Sequence, residues 1–329
     1  MAVSVSWFTK EGEYLPGGNY YGYHNAIFRT KSAFQKLGVQ ISGRSPIHIS
    51  YCAPHAFEHF QGKFNVLITM YETPDCTQDV LDRVRKADLI IVPSKFCQRY
   101  FRKWTGKRVE VVPLGTDHVP YVRRSISQDQ NEKFRFLWVG AFNARKGWWN
   151  LGVVWDHFFK EIPFVELYIK TTSHNPDLQN VFKRGNTITD GRNVTREEMI
   201  ELYHSAHCFV MPTMGEGWGL TVAEAMSSGL PTITTEYSGM LEFANRRNCF
   251  FAPHKLERIE ASMGGPAVTN PTGKYEFAIV DLPGLARQMA AVMHDYDNSL
   301  IVGKRAHQDL QAFTWERSAQ GIIDIIKDL

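Results

Sequence analysis

The stretch "PTMGEGWGLTVAEAMSSGLPTITTE", residues 212–236, sets two carboxylates, Glu216 and Glu224, on a glycine-flanked turn and on the helix that follows it. The run before it, "HCFVMP", reads as a buried strand by its continuous apolar residues, and Pro212 ends it. Gly215, Gly217 and Gly219 allow positive φ and a close approach of backbone to ligand. A helix begins near Leu220–Thr221 and ends at Gly229, before Pro231 and the strand "PTITT". The free N–H groups from Trp218 to Thr221 and the helix dipole suit a diphosphate, and the turn falls at the carboxyl end of a strand. A carboxylate would repel that phosphate, so Glu216 and Glu224 are expected to accept hydrogen bonds from hydroxyls. Sugar hydroxyls on either side of a diphosphate satisfy both demands, which describes a nucleotide sugar.

Outward from this turn, apolar runs alternate with amphipathic helical stretches along the whole chain. Strands are expected at "VSVSWF", "IHISY", "NVLITM", "LIIVP" and "VEVVP", then at "FRFLWVG", "VELYIK", "HCFVMP", "PTITT" and "NCFFA". Helices lie between them, among them "NAIFRTKSAFQKLG", which ends on Gly38, and "TREEMIELYHSA", opened by the capping box Thr195–Glu198. Alternation of this kind implies parallel sheets covered by helices on both faces. The polar segment 121–133 separates the two series. The expected organisation is a Rossmann-like domain over 1–120, a linker over 121–133, a second Rossmann-like domain over 134–312, and a closing amphipathic helix over 313–329.

The chain has 329 residues, enough for two cores, with 43% apolar and 22% charged residues. Five scattered cysteines without a C-x-x-C pair read as reduced thiols and exclude a disulfide framework. No apolar run reaches the roughly 18–20 residues of a membrane span, and the N-terminus lacks the pattern of a signal peptide. A cytoplasmic protein is expected, with peripheral placement at the inner membrane face left open. Net charge is +3, but residues 1–130 carry 17 Lys+Arg against 11 Asp+Glu. Six of those positives and no acid fall in "KFCQRYFRKWTGKR", 95–108, which suits an anionic partner. Phe96, Tyr100 and Trp104 form one stripe of that helix and are expected to pack in the core.

Residues 212–231 resemble the motif "P-x-x-x-E-G-W-G-L-x-x-x-E-A-M-x-x-G-x-P" of the retaining family-4 glycosyltransferases, whose E-x(7)-E pair would here be Glu216 and Glu224. The resemblance implies the two-domain GT-B architecture, with the last helix crossing back to the first domain. It also implies that Glu216 holds the donor sugar and Glu224 the nucleotide ribose. "FLWVGAFNARKGWWNL", 136–151, is similar to the family's G-R-x-x-x-x-K-G, whose Arg and Lys hold the diphosphate. This chain keeps Gly140, Lys146 and Gly147 but has Ala141 in place of the Arg, and Arg145 stands next to Lys146 to take over. Gly17 and Gly18 resemble the glycine loop of the first domain, over the diphosphate and acceptor. Arg192 and Val194, in "TDGRNVTREE", match where the nucleotide base sits. Glu72, in "NVLITMYETPD", orients the acceptor hydroxyl, helps deprotonate it, or caps the following helix. "LIIVPSKF" and "VEVVPLGTD" match structural segments of the family, with Ser94 as a helix cap.

These residues imply a retaining hexosyltransferase that uses a UDP- or GDP-linked sugar as substrate, with no cofactor and no metal. Lys146 and Arg145 would stand in for the metal at the diphosphate, and His204 and His207 have no carboxylate at metal-binding spacing. With both glutamates assigned to hydroxyls, no covalent intermediate is expected. The acceptor is a hydroxyl compound, anionic by the charge of the first domain: a membrane lipid, a glycan or a nucleic acid. Alternatives are glycosylation of hydroxylated DNA bases, a nucleotide-sugar epimerase and, last, a binding protein without activity.

Overall fold

The structure, a computed structural model, describes residues 3–8, 21–122, 124–125, 133–172, 185–260 and 274–329. The first sheet comprises β1 (Ser4–Phe8), β2 (Gln40–Ile41), β3 (Ile47–Tyr51), β4 (Phe64–Ile68), β5 (Leu89–Val92) and β6 (Val109–Val111), in the order β2-β1-β3-β4-β5-β6, all parallel. Helices α1 (Tyr21–Lys36), α2 (Gln78–Val84) and α3 (Lys95–Thr105) connect these strands. Val66, Leu67 and Leu89–Val92 are buried, as strands covered on both faces require. The Ser94 side chain caps α3 by accepting from Cys97 N, and Gly106 ends the helix at φ 66°.

The second sheet is also parallel. It comprises β7 (Phe134–Val139), β8 (Val165–Lys170), β9 (Thr187–Asp190), β10 (Cys208–Met211), β11 (Thr232–Thr235) and β12 (Phe250–Ala252), in the order β9-β8-β7-β10-β11-β12. The strand order reverses between β7 and β10, the crevice where open α/β sheets bind ligands. Its helices are α4 (Trp148–Phe158), α5 (Arg196–Ser205), α6 (Leu220–Ser227), α7 (Leu282–His294) and α8 (Tyr296–Leu310). The capping box of Thr195 and Glu198 opens α5 as the sequence implies.

The closing helix α9 (Trp315–Lys327) returns to the first domain and packs on α1. Trp315 Nε1 donates to Asp117 Oδ1 at 2.7 Å, and Gly115 leaves room for this junction, since a Cβ there would lie 2.4 Å from the Trp315 amide nitrogen. The two parallel α/β domains and the returning helix agree with the sequence expectation.

Two readings are corrected. An antiparallel hairpin, β13 (His254–Glu260) and β14 (Lys274–Val280), follows β12 and was not foreseen. On α3, the buried residues are Cys97, Phe101 and Trp104, whereas Phe96 and Tyr100 are only half-buried and Phe96 packs on Tyr237 of the second domain. The stripe therefore serves the domain interface as well as the core.

Candidate functional site

Two turns meet at the centre of the second sheet. After β7, Asn143 caps a single 3-10 turn, Ala144–Lys146, by accepting from Arg145 N at 3.0 Å. Gly147 closes the turn at φ 72°, and a Cβ there would lie 2.0 Å from Pro212 O. Only glycine lets this turn sit against the one after β10. The two are laced by Met214 N donating to Arg145 O at 2.7 Å and by Thr213 Oγ1 donating to the same oxygen at 3.0 Å.

This lacing brings three charged side chains together. Arg145 Nη1 and Lys146 Nζ each lie 2.9 Å from Glu216 Oε1, and Thr213 Oγ1 lies 3.3 Å from the same oxygen. Arg145 Nη2 reaches Glu72 Oε1, from the first domain, at 3.4 Å. Arg145 Nη1 also donates to Gly215 O, while the buried Nε has no hydrogen-bond partner among the described residues. Burial pushes the Glu216 carboxyl up, but the charges of Arg145 and Lys146 outweigh it and hold the group below its ordinary value. Burial raises Glu72, and Arg145 only partly offsets this. The pair is thus driven in opposite directions, an arrangement that suits carboxylates with different tasks.

Glu72 does not cap α2; Thr77 does, accepting from Val80 N. The glycine turn presses directly on the loop that carries Glu72. A Cβ on Gly215 would lie 2.4 Å from Glu72 O, one on Gly217 would lie 2.7 Å from Met70 Cβ, and Ser94 Oγ donates to Gly217 O at 3.0 Å.

Helix α6 follows Gly219, φ 99°, and among the described residues no side chain caps it. Its first amides are the feature that favours anions. The Trp218 side chain is buried between Phe243 and Phe313, so Trp218 can face a ligand only through its backbone. Leu220 and Thr221 are half-buried on the first turn of α6. Glu224, one turn further along, accepts from Tyr203 Oη at 2.9 Å and lies 3.9 Å from Arg196 Nη1. Burial pushes its pKa up to about 7.

Arg192 and Val194 lie between β9 and α5. Arg192 binds Asp190 through Nε at 3.1 Å, Nη2 at 2.9 Å and its amide at 2.9 Å. Val194 is half-buried, one residue before the cap of the helix that carries Arg196 and Tyr203. Gly18 lies outside the described residues.

Sequence reasoning missed Lys170, which closes β8 and is buried with its ammonium on Thr171 O at 3.0 Å and on Arg192 O, bracing the Arg192 loop. Its signal was a lone cation at the carboxyl end of "VELYIK". Also missed was Asp117, which accepts from Arg29 Nη2 at 2.8 Å and whose carbonyl accepts from Arg196, so α1 is tied to the neighbour of Glu224. Two spacings escape the sequence reading of metal ligands. His55 and His59 stand four apart, but only Pro54–Ala56 is a 3-10 turn, so they share no helix face. The D-x-D at Asp295–Asp297 belongs to the α7–α8 junction, where Asp295 caps α8.

Comparison with known proteins bears on the fold and on the segment that holds these turns. Residues 133–264 match the family model for glycosyl transferases, group 1. The matched stretch holds both turns and all of β7–β12. The sulfoquinovosyl transferase SQD2 of Arabidopsis thaliana is 24% identical over 202 residues, 61% of this chain and 34% of that protein. A sucrose synthase of Melioribacter roseus is 62% identical over 34 residues, 10% of this chain and 4% of that protein. The chain thus spans about a third or less of the length of these relatives. Among solved structures, the Anabaena protein Alr3699/HepE, in complex with UDP and glucose, aligns over 100% of both chains with TM-score 0.68 at 12% identity. Sucrose-phosphate synthase from Thermosynechococcus elongatus aligns over 94% of this chain and 79% of its own with TM-score 0.64 at 17% identity. The fold is GT-B.

Proposed function

We propose that the protein is a retaining, metal-independent glycosyltransferase that moves a hexosyl group from a nucleoside-diphosphate sugar to a hydroxyl acceptor. The observation that carries this reading is the convergence of Arg145 and Lys146 on buried Glu216, where the sheet order reverses, beside the uncapped start of α6. Cations and free amides there suit a diphosphate, and a buried carboxylate kept ionised suits sugar hydroxyls.

In this reading Glu216 and Glu224 are the two ends of an E-x(7)-E pair. Lys146 and the first amides of α6 hold the diphosphate and take up charge as it leaves. Glu216 accepts from hydroxyls of the donor sugar, and Arg145 keeps it charged. Glu224, steadied by Tyr203 and Arg196, accepts from the ribose, and the Arg192–Val194 backbone meets the base. Gly18 belongs to the loop over the diphosphate.

Glu72 is the acceptor-side carboxylate. Both it and Glu216 are engaged by Arg145, so neither is assigned as a nucleophile. The acceptor oxygen attacks the anomeric carbon from the face the diphosphate leaves, and the carbon–phosphate oxygen bond breaks as the new glycosidic bond forms. The acceptor proton passes to the departing phosphate oxygen. Contact between the domains at Gly215 and Gly217 keeps water, the competing acceptor, from the site.

Relatives described as sulfoquinovosyl transferase and sucrose synthase support a hexosyl donor, and a fold neighbour solved with UDP and glucose supports UDP over GDP as its carrier. Exposed Lys95, Arg99, Arg102 and Lys103 on α3 support an anionic acceptor or carrier. The test is incubation of the full chain with UDP-, GDP- and ADP-sugars in excess chelator, with NMR of the anomeric product. Release of nucleoside diphosphate and a retained anomer are expected. An inverted product, or activity that returns only with added manganese or magnesium, would overturn the mechanism.

A further inference from the structure

Beyond these groups, hairpin β13–β14 has a placement that the donor site alone does not explain. The outer edge of an antiparallel strand carries unpaired N–H and C=O groups at every second residue, and these must find partners when buried. On β14 they are met by the two loops of the candidate site. Ala278 N donates to Met214 O at 2.9 Å, at the head of the glycine turn that carries Glu216. Two residues earlier on the same edge, Glu276 N donates to Asp75 Oδ2 at 3.0 Å, and Glu276 O accepts from Thr73 Oγ1 at 3.2 Å.

The Thr73–Asp75 segment directly follows Glu72. Arg258, opposite Glu276 in the ladder, adds a bond from Nη2 to Asp75 Oδ1 at 3.1 Å. Beneath this edge Tyr275, Phe277 and Met214 form a small buried cluster of their own, with Ile259 and Ile279 packed against it. One strand is therefore stitched to a loop of each domain, and those loops carry the two carboxylates that Arg145 joins. All of β14 lies beyond the group 1 match, which ends at residue 264.

We propose that β14 is a spacer that fixes Glu72 opposite Glu216 across the domain boundary, with Asp75 and Thr73 as positioning residues. The inference rests on the assignment of Glu216 to the donor sugar and Glu72 to the acceptor side. The Asp75–Arg258 pair is partly exposed, with side chains 28% and 56% accessible, so its charge pairing contributes little. The function lies in the bonds to the Glu276 backbone. Without them the loop keeps its bonds to its own domain, from Trp104 Nε1 to Pro74 O at 3.1 Å and from Cys97 Sγ to Tyr71 O at 3.3 Å, but the segment after Glu72 loses its tie to β14, and the carboxyl loses its fixed distance to Arg145.

The experiment compares wild type with Asp75→Ala, Asp75→Asn, Thr73→Val and Arg258→Ala in the full chain, by hydrogen exchange and by steady-state transfer from the donor that the wild type uses. Asp75→Ala is expected to speed exchange of the Glu276 amide at least tenfold. Its kcat should fall about tenfold with donor KM within twofold, and the kcat limb that reports Glu72 should move along the pH axis. Asp75→Asn keeps an acceptor for the Glu276 amide and should recover most of the rate. Arg258→Ala should remain near wild type. Thr73→Val serves the same purpose should Asp75→Ala not fold, and a several-fold loss of kcat is expected.

Rapid exchange at Glu276 with unchanged kcat and pH profile would overturn the positioning role. So would equal losses in Asp75→Ala and Asp75→Asn. A folded wild type that transfers from no donor would refute the assignment of the site. The exchange data would then still decide whether β14 ties the two loops, and unchanged exchange in Asp75→Ala and Thr73→Val would refute that tie.

Discussion

Replacing Glu224 by Gln should stabilise the protein, and only above acid pH. The carboxyl is nearly buried, with a side chain 13% accessible, and burial moves its pKa from 4.5 to about 7. Between these values the folded chain holds this proton more tightly than the unfolded chain does. Stability from this group is therefore complete below pH 4.5, falls as pH rises, and is lost above pH 7. At about 1.4 kcal/mol per pH unit the loss reaches roughly 3 kcal/mol, with Arg196 at 3.9 Å already included among the opposing causes. Glutamine keeps an acceptor for Tyr203 and has no charge to bury.

Thermal unfolding of wild type and Glu224→Gln at pH 4 and pH 8 measures the difference. The two should melt together at pH 4. At pH 8 the variant should melt about 6–12 °C higher, taking roughly 2–4 °C per kcal/mol for a domain of this size. It should also bind UDP or GDP about tenfold more weakly, because the neutral amide is a poorer acceptor for ribose hydroxyls. Equal melting temperatures at pH 8 would refute the assignment of a buried, strained carboxylate at the ribose position, and equal affinity for the nucleotide and its deoxyribose analogue would refute its role.

Three further outcomes follow from the same geometry. Lys146→Ala should weaken nucleoside-diphosphate binding in calorimetry by ten- to a hundredfold while leaving nucleoside binding within about threefold, since the lost cation serves the phosphates. Gly147→Ala combines a left-handed φ of 72° with a Cβ 2.0 Å from Pro212 O, so a loss of about 3 kcal/mol or more is expected in denaturant unfolding. The variant Arg99→Ala, Arg102→Ala, Lys103→Ala should reduce binding to anionic vesicles or duplex DNA and flatten its salt dependence, and a wild type that binds neither at any salt would reduce this face to solvated charge.

Much of this was legible in the sequence because the signals are local. The apolar runs "LIIV" and "CFVM" are strands buried on both faces, Thr195 and Glu198 form their capping box, and Gly38 and Gly229 take positive φ where helices were expected to end. The turn at 212–219 was readable because the residues around it resemble a family motif; glycines alone would not have marked it. What stayed hidden depends on contacts between distant segments. That Arg145 bridges Glu72 and Glu216 follows from how the domains meet, and nothing near residue 145 announces it. Hairpin β13–β14 follows a short strand and has a charged, exposed outer strand, "HKLERIE", without the apolar run that marked the others. Lys170 reads as a surface residue until the carbonyls of Thr171, of Asp190 at the end of β9 and of Arg192 just beyond it are seen around its ammonium.

The central claim is that Glu216 engages the donor sugar while the nucleotide is held elsewhere. The most direct measurement compares wild type and Glu216→Gln, in chelator, for nucleotide affinity by calorimetry and for release of nucleoside diphosphate from the donor. The site predicts affinity within about threefold and turnover reduced at least a hundredfold, a loss confined to the reacting sugar. A folded Glu216→Gln protein that turns over donor at the wild-type rate, or loses nucleotide binding and turnover together, would contradict it.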